Sequence, residues 1–187
     1  MFGNPRARQM AAWFTVYSPR PLSHVTPADV TAFLTGPRVD WYTLAEGFGI
    51  EDEAVVERAV VALRVAPAAG ARGEWFAVRY RPAKSRPLVV YLWSEPARVR
   101  QELAEAAENY LDGRRGRGVN QVRAALTSIA EVAAIELGGS QLGDMGLVIA
   151  GQVAEHLAGA GGGVIRDTGD EWWVVRQGVP KLLLGRA

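Results

Sequence analysis

Short apolar runs along the chain predict six β-strands. Each run is rich in aromatic and β-branched residues, which favour the pleated, half-buried surface of a sheet. Proline or glycine lies close to several of the run ends, as at Pro19, and such residues stop a strand. Two pairs of runs lie close enough in sequence to form hairpins, the second one around the turn residues 167–170. The predicted strands are residues 12–18, 75–80, 88–93, 131–137, 164–166 and 172–175.

Apolar residues spaced three and four positions apart predict six helices between these strands. Thr26 is a good capping residue and Pro27 suits the first helical position, so the first helix begins there. Ser94 is the predicted cap of a helix whose apolar stripe reaches Tyr110. The first helix covers residues 27–34. The other predicted helices are residues 41–48, 51–64 and 119–126, and a long helix whose apolar face runs from Leu142 to Leu157.

These elements predict an α+β fold with a mixed or antiparallel sheet and helices packed on it. The 187 residues are enough for one sizeable core, so we treat residues 1–187 as a single domain. The Gly/Arg-rich segment 113–118 resembles a linker and divides the domain into two predicted lobes, 1–112 and 118–187. The order of elements in the C-terminal lobe is β-α-β-β.

Composition places the chain among ordinary globular proteins. Hydrophobic residues make up 49% and charged residues 22%, and no apolar run reaches the roughly 18 residues that a membrane span requires. The first residues lack the apolar region of a secretory signal, and we expect a cytoplasmic protein without a membrane partner. There is no cysteine, which excludes disulfides and thiolate metal sites. The net charge of +1 gives no general attraction to nucleic acid.

Sequence signatures of nucleotide binding and of nucleophilic catalysis are incomplete. Neither of the two lysines follows a glycine-rich loop, which excludes a P-loop. The glycine run 159–163 follows a predicted helix instead of opening one, as is typical of a helix end. Gly139 and Ser140 resemble the start of a nucleophile elbow, but Leu142 stands where that motif requires glycine. We therefore predict that Ser140 is a helix cap.

The remaining polar residues give little reason to expect catalysis. A small hydrolase, the third interpretation, would need His24 or His156 beside Ser140. Four carboxylates near the ends of the C-terminal elements could gather around a hard cation, although turns favour aspartate for backbone reasons alone. These four are Glu136, Asp144, Asp167 and Asp170. We expect a non-enzymatic protein with no catalytic residue, no metal site and no cofactor.

Residues 42–50, followed by Val55, are similar to a helix-turn-helix. Ala45 would be the small residue of the first helix and Gly49 the turn. With the helix before it and the hairpin after it, segment 26–93 resembles the order of a winged helix. This resemblance implies a transcription regulator, which is our second interpretation.

The charge of the second helix of the helix-turn-helix, residues 51–64, predicts repulsion from DNA. Glu51, Asp52, Glu53 and Glu57 would face a groove lined with phosphates. We therefore expect no specific nucleic-acid partner.

Three runs in the C-terminal part resemble small bacterial α+β proteins found beside polymorphic toxins. The runs are residues 131–137, 144–146 and 163–167, followed by Trp172. Such proteins include immunity proteins, which bind and neutralise a cognate toxin in the cell that makes it. The resemblance implies a non-catalytic protein with a protein partner such as a toxin domain, and this is our leading interpretation.

Two adjacent tryptophans in the last predicted strand are the candidate anchors for a partner. Successive side chains of a strand point to opposite faces, so Trp172 and Trp173 cannot enter the same core. One ring should be partly exposed unless helices cover both faces, and tryptophan is common at the energetic centre of interfaces. The other candidate partner-binding residues lie in the same hairpin and are Arg166, Asp167, Asp170 and Glu171.

Overall fold

Eight strands form one antiparallel sheet in the computed structural model, which describes residues 11–68, 73–81 and 85–186. The predicted α+β class, with an antiparallel sheet, is confirmed. The order of the strands across the sheet is β2-β3-β4-β5-β1-β6-β7-β8. The strands are β1 (Ala12–Ser18), β2 (Arg64–Pro67), β3 (Glu74–Arg79), β4 (Leu88–Trp93), β5 (Glu131–Leu137), β6 (Val164–Arg166), β7 (Trp172–Arg176) and β8 (Val179–Leu184).

Six α-helices connect these strands within the described ranges. They are α1 (Pro27–Leu34), α2 (Trp41–Gly47), α3 (Glu53–Val61), α4 (Pro96–Ala106), α5 (Arg117–Leu126) and α6 (Met145–Gly161). A π-helical turn (Ala107–Leu111) follows α4, and a 3-10 turn (Gly139–Gln141) precedes α6. None of the helices in the described ranges combines the length and the apolar character needed to cross a membrane.

Helices cover both faces of the sheet and form two cores. The large core lies on the face that carries α1, α2, α3 and α6, and the small core lies under α4, the π-helical turn and α5. Helix α6 is central to the large core, because eleven of its seventeen residues are buried. Representative residues of the large core are Val16, Ile135, Ile149, Val153 and Leu157, and those of the small core are Tyr17, Val122, Val132, Val164 and Trp172.

The two edge strands, β2 and β8, are missing from the sequence-based prediction. Each contains a proline, Pro67 in β2 and Pro180 in β8, and proline cannot donate a hydrogen bond to a neighbouring strand. That chemistry argues against a central strand and is tolerated at the edge of a sheet, which is where both strands lie. The C-terminal order is therefore β-α-β-β-β, one strand longer than predicted.

The strands of the two predicted lobes interleave at the centre of this sheet, where β5 lies between β4 and β1. Strand β1, from the first lobe, pairs along its length with β5 and also pairs with β6. Segment 113–118 connects the π-helical turn to α5, and both of these pack on the small core. The segment therefore links two elements on one face of the sheet, and it does not separate two sheets.

Several helices begin or end a few residues from the predicted positions. Asp52 caps α3 by accepting a hydrogen bond from the Ala54 N–H, and α3 ends before Arg64, which belongs to β2. Glu95, and not Ser94, precedes the first residue of α4.

The adjacent tryptophans point to opposite faces of β7, as the strand period requires. Trp172 is fully buried in the small core, and its ring stacks on Tyr17 with a centroid distance of 5.4 Å. Trp173 is only partly buried and packs against the large core. The outward-facing member of the pair is therefore Trp173.

Trp172→Ala should destabilise the fold by about 3–5 kcal/mol, the usual cost of removing a buried aromatic side chain. Trp172→Phe should cost clearly less, because it keeps a ring on Tyr17 and removes an indole N–H that has no hydrogen-bond acceptor among the described residues. Trp173→Ala should also cost less, because its ring is partly exposed. Urea unfolding of the three variants measures these differences, and equal losses for both alanine variants would show that Trp173 is as structural as Trp172.

Candidate functional site

The hairpin between β6 and β7 is organised by one carboxylate. Asp167 Oδ1 accepts hydrogen bonds from the backbone N–H groups of Gly169 (2.8 Å) and Glu171 (2.9 Å). Its Oδ2 accepts a third from Trp173 Nε1 at 2.9 Å. Asp170 adopts a left-handed conformation (φ 63°) that lets the turn close. The turn therefore fixes the position of the Trp173 ring.

The Trp173 ring forms one wall of an apolar cleft with a volume of about 240 Å³. The cleft lies on the face of the sheet that carries the large core, where α2, α6 and the β6–β8 meander come together. Its lining residues are Phe14, Leu44, Phe48, Leu147, Val148, Gly151, Gln152, Glu155, Ile165, Asp167, Thr168, Trp173 and Pro180.

A glycine in the middle of α6 keeps the cleft open. A Cβ atom built on Gly151 would lie 3.8 Å from Phe14 Cζ, an ordinary contact distance, so no backbone or side chain occupies the adjacent space. Glycine lowers the stability of a helix interior by about 1 kcal/mol relative to alanine. Close packing therefore does not require glycine at position 151, and the absence of a side chain there leaves the cleft unfilled.

The charged side chains in the cleft lining are both carboxylates. Asp167 is engaged by three donors, as described above. Glu155 accepts a single hydrogen bond, from Gln152 Nε2 at 3.2 Å, and makes no ion pair within the described part of the chain. Burial raises the pKa of the Glu155 carboxyl, an effect that the hydrogen bond from Gln152 opposes. Among the residues that the structure describes, no lysine, arginine or histidine lines the cleft.

Of the six predicted partner-binding residues, Trp173 and Asp167 line the cleft. Arg166 lies on the opposite face, where its guanidinium carbon is 4.0 Å from the centroid of the Tyr110 ring and its Nη2 donates to Thr15 Oγ1 at 3.2 Å. Asp170, in the turn, accepts from Arg166 Nη1 at 2.8 Å. The remaining two residues do not line the cleft. Trp172 lies in the small core, and Glu171 Oε1 accepts a hydrogen bond from the backbone N–H of Arg186 at 3.4 Å.

Most of the cleft could not be found from the sequence. Phe14, Leu44 and Ile165 belong to three elements that meet only through the order of strands in the sheet. Two features of the sequence of α6 do point to the cleft. Gly151 interrupts an otherwise strong helix, and Glu155 lies in the same helix close to its apolar face.

A second hollow lies on the other face and is lined by Trp13, Tyr91 and Trp93. The rings of Tyr91 and Trp93, which their strand pattern suggests are core residues, are only partly buried. Of the two charged residues in its lining, Arg98 pairs with Glu102 at 2.5 Å, whereas Glu95 makes no ion pair within the described ranges. The first cleft has the more apolar lining, and its Trp173 wall is held by Asp167, so it is the better candidate for a binding site.

The residues considered for catalysis are dispersed. Ser140 lies in the 3-10 turn and does not cap α6, whose N-cap is Asp144. Within the described ranges no hydrogen bond joins Ser140 to either histidine, and His156 stacks on Phe33 with a centroid distance of 4.6 Å. Asp144 pairs with Arg81, and no three His, Asp or Glu residues of the described segments cluster as a metal site.

The segment that is similar to a helix-turn-helix forms α2 and α3, with Gly49 at φ 75° between them. The hairpin that follows it, β3–β4, lies inside the eight-stranded sheet. Leu44 and Phe48, at one side of α2, line the apolar cleft. The regulator interpretation remains a prediction.

Comparisons with models of protein families, with curated proteins and with solved structures found no match for this chain. The geometry of the cleft is therefore the basis for a functional proposal.

Glu155→Gln should raise the free energy of unfolding at pH 7, because burial makes the charged carboxylate less favourable in the folded chain than in the unfolded chain. With its pKa raised on folding, Glu155 binds more protons in the folded state, so the wild type loses stability as pH rises from about 4.3 through the higher folded-state pKa. The advantage of the variant should therefore grow over that range and vanish below about pH 4. Urea unfolding across pH measures it, and a variant less stable than wild type at pH 7 would contradict it.

Proposed function

We propose that this chain is a non-catalytic binding protein that holds an apolar group of a protein partner in the cleft. The observation that carries the proposal is an open apolar cleft of about 240 Å³ on the face of the sheet that carries the large core. Pockets of this kind, mostly apolar with a few polar groups at fixed positions, are the usual binding sites of proteins.

The size of the cleft suits an aromatic or large aliphatic side chain. An engineered apolar cavity of about 150 Å³ is large enough to bind benzene. The cleft here is larger, with a volume of about 240 Å³, and it is open to solvent on one side. A side chain that remains attached to a partner could therefore enter it, with Trp173 and Phe48 as its neighbours.

The specific form that we propose is toxin neutralisation by a bacterial immunity protein in the cytoplasm. Its support is the resemblance of residues 131–137, 144–146 and 163–167 to such proteins. The third of these runs contains Ile165 and Asp167, and both line the cleft.

Gly151→Leu should fill the cleft and abolish binding of a small apolar probe such as toluene. Its matched control is Gly159→Leu in the same helix, at an exposed glycine outside the cleft. Both changes raise helix propensity by about 1 kcal/mol, so both variants should fold. The indole N–H signal of Trp173 in NMR spectra reports the cleft, and that of Trp172, on the other face, is the internal reference.

Toluene should shift the Trp173 signal saturably in the wild type and in Gly159→Leu, and should leave it unchanged in Gly151→Leu. A Trp173 signal that stays constant in the wild type, or that shifts equally in Gly151→Leu, would show that the cleft does not bind apolar groups.

A partner that uses the cleft should be captured by the wild type and Gly159→Leu but not by Gly151→Leu. If the partner is a toxin, its expression alone should stop growth of a host cell, and co-expression with the wild type should restore growth. Restoration by Gly151→Leu as well would show that neutralisation does not depend on the cleft, and a harmless partner would contradict the immunity role.

A further inference from the structure

The Glu155 carboxylate has unused capacity to accept hydrogen bonds. An ionised carboxylate offers about four acceptor positions on its two oxygens. Glu155 uses one of them, for Gln152 Nε2 at 3.2 Å, whereas Asp167 on the other side of the cleft accepts three hydrogen bonds at 2.8–2.9 Å. The two acids in the lining therefore differ, since Asp167 holds the hairpin together and Glu155 holds nothing beyond its own helix.

The position of Glu155 is unfavourable for a charge with no partner. The cleft that Glu155 lines is formed mainly by apolar side chains, among them Val148, Phe48 and Trp173, which supply no cation. A partly desolvated carboxylate loses hydration, and a cation with hydrogen-bond donors restores that loss. The structure supplies such a cation for other acids, as Arg98 does for Glu102 at 2.5 Å.

The surface beside the cleft is negatively charged, as Glu155 is. Leu44 of α2 and Phe48, the residue that follows this helix, line the cleft. The chain around α2 carries six exposed carboxylates and no basic residue between Arg38 and Arg58. No ion pair engages any of these six within the described ranges. They are Asp40, Glu46, Glu51, Asp52, Glu53 and Glu57. We call this surface the acidic corner, and it attracts a positively charged partner as the two approach.

We infer that the group bound in the cleft carries a positive charge beside its apolar part, and that the Glu155 carboxylate receives this charge. The inference rests on the proposed function, because it assigns the chemistry of the group that the cleft holds. In a protein partner, the group is an aromatic or aliphatic side chain next to a lysine or arginine. Glu155 thus determines specificity and the apolar walls provide affinity.

Three probes with the same phenyl ring and different charges test this inference. They are the phenethylammonium ion, neutral 2-phenylethanol and the 3-phenylpropanoate anion, each titrated while the Trp173 indole signal is followed. In the wild type, the ammonium ion should bind roughly tenfold more tightly than the alcohol, since hydrogen bonds to a charged partner are about twice as strong as neutral ones. The anion should bind more weakly than the alcohol.

Glu155→Gln should reduce the affinity for the ammonium ion to that for the alcohol and leave the affinity for the alcohol nearly unchanged. The matched control is Glu108→Gln, which removes one exposed carboxylate from the π-helical turn on the other face of the sheet. This control has the same change in net charge and should keep the preference for the ammonium ion.

Three results would overturn the inference. If the wild type binds the three probes equally, or if Glu155→Gln retains the preference for the ammonium ion, Glu155 does not receive a cation. In both cases the alcohol still binds, and loss of its binding in Gly151→Leu leaves the cleft proposal intact. If none of the three probes binds the wild type, the cleft proposal and the inference fall together.

Discussion

The alternation of side chains along β7 is the constraint on which the rest of the structure depends. It sends Trp172 into the small core and Trp173 to the other face, so neither face of the sheet can be left in water without exposing a large aromatic ring. Helices on both faces cover the two tryptophan rings, but they cover them to different extents. Trp172 is fully covered, whereas Trp173 remains partly exposed where α2 and α6 leave a cleft. The incomplete cover over Trp173 is what gives this fold a candidate site.

The edges of the sheet show how the protein limits association through its backbone. An edge strand presents unpaired N–H and C=O groups to any other chain, and proline and charged side chains reduce that tendency. Strand β8 carries Pro180 and Lys181, and β2 carries Arg64 and Pro67. Because both edges have these features, binding by addition of a strand is disfavoured. Side-chain recognition in the cleft is the more suitable mode for a partner.

The parts of this structure that the sequence predicts are those whose signals are local. The central strands β1 and β5 are predicted with their observed bounds, since most of their residues are apolar, aromatic or β-branched. The edge strands were missed because proline obscures a strand pattern. Within the site, Trp173 and Asp167 could be predicted from one hairpin, whereas the approach of Phe14 to Gly151 depends on β1 lying between β5 and β6. No local pattern encodes that neighbourhood.

Glu155 and Gly151 together favour a binding role for the cleft over a purely structural one. Each is a poor choice for stability, since a glycine weakens the interior of a helix and an unpaired carboxylate beside apolar surface favours the unfolded chain. Both lie in α6, the most buried helix, and both line the cleft. Residues that lower stability at a single place are expected where function requires them. A gap filled by a partner's apolar group and a charge neutralised by a partner's cation would remove both costs at once, so binding of such a partner should stabilise the fold.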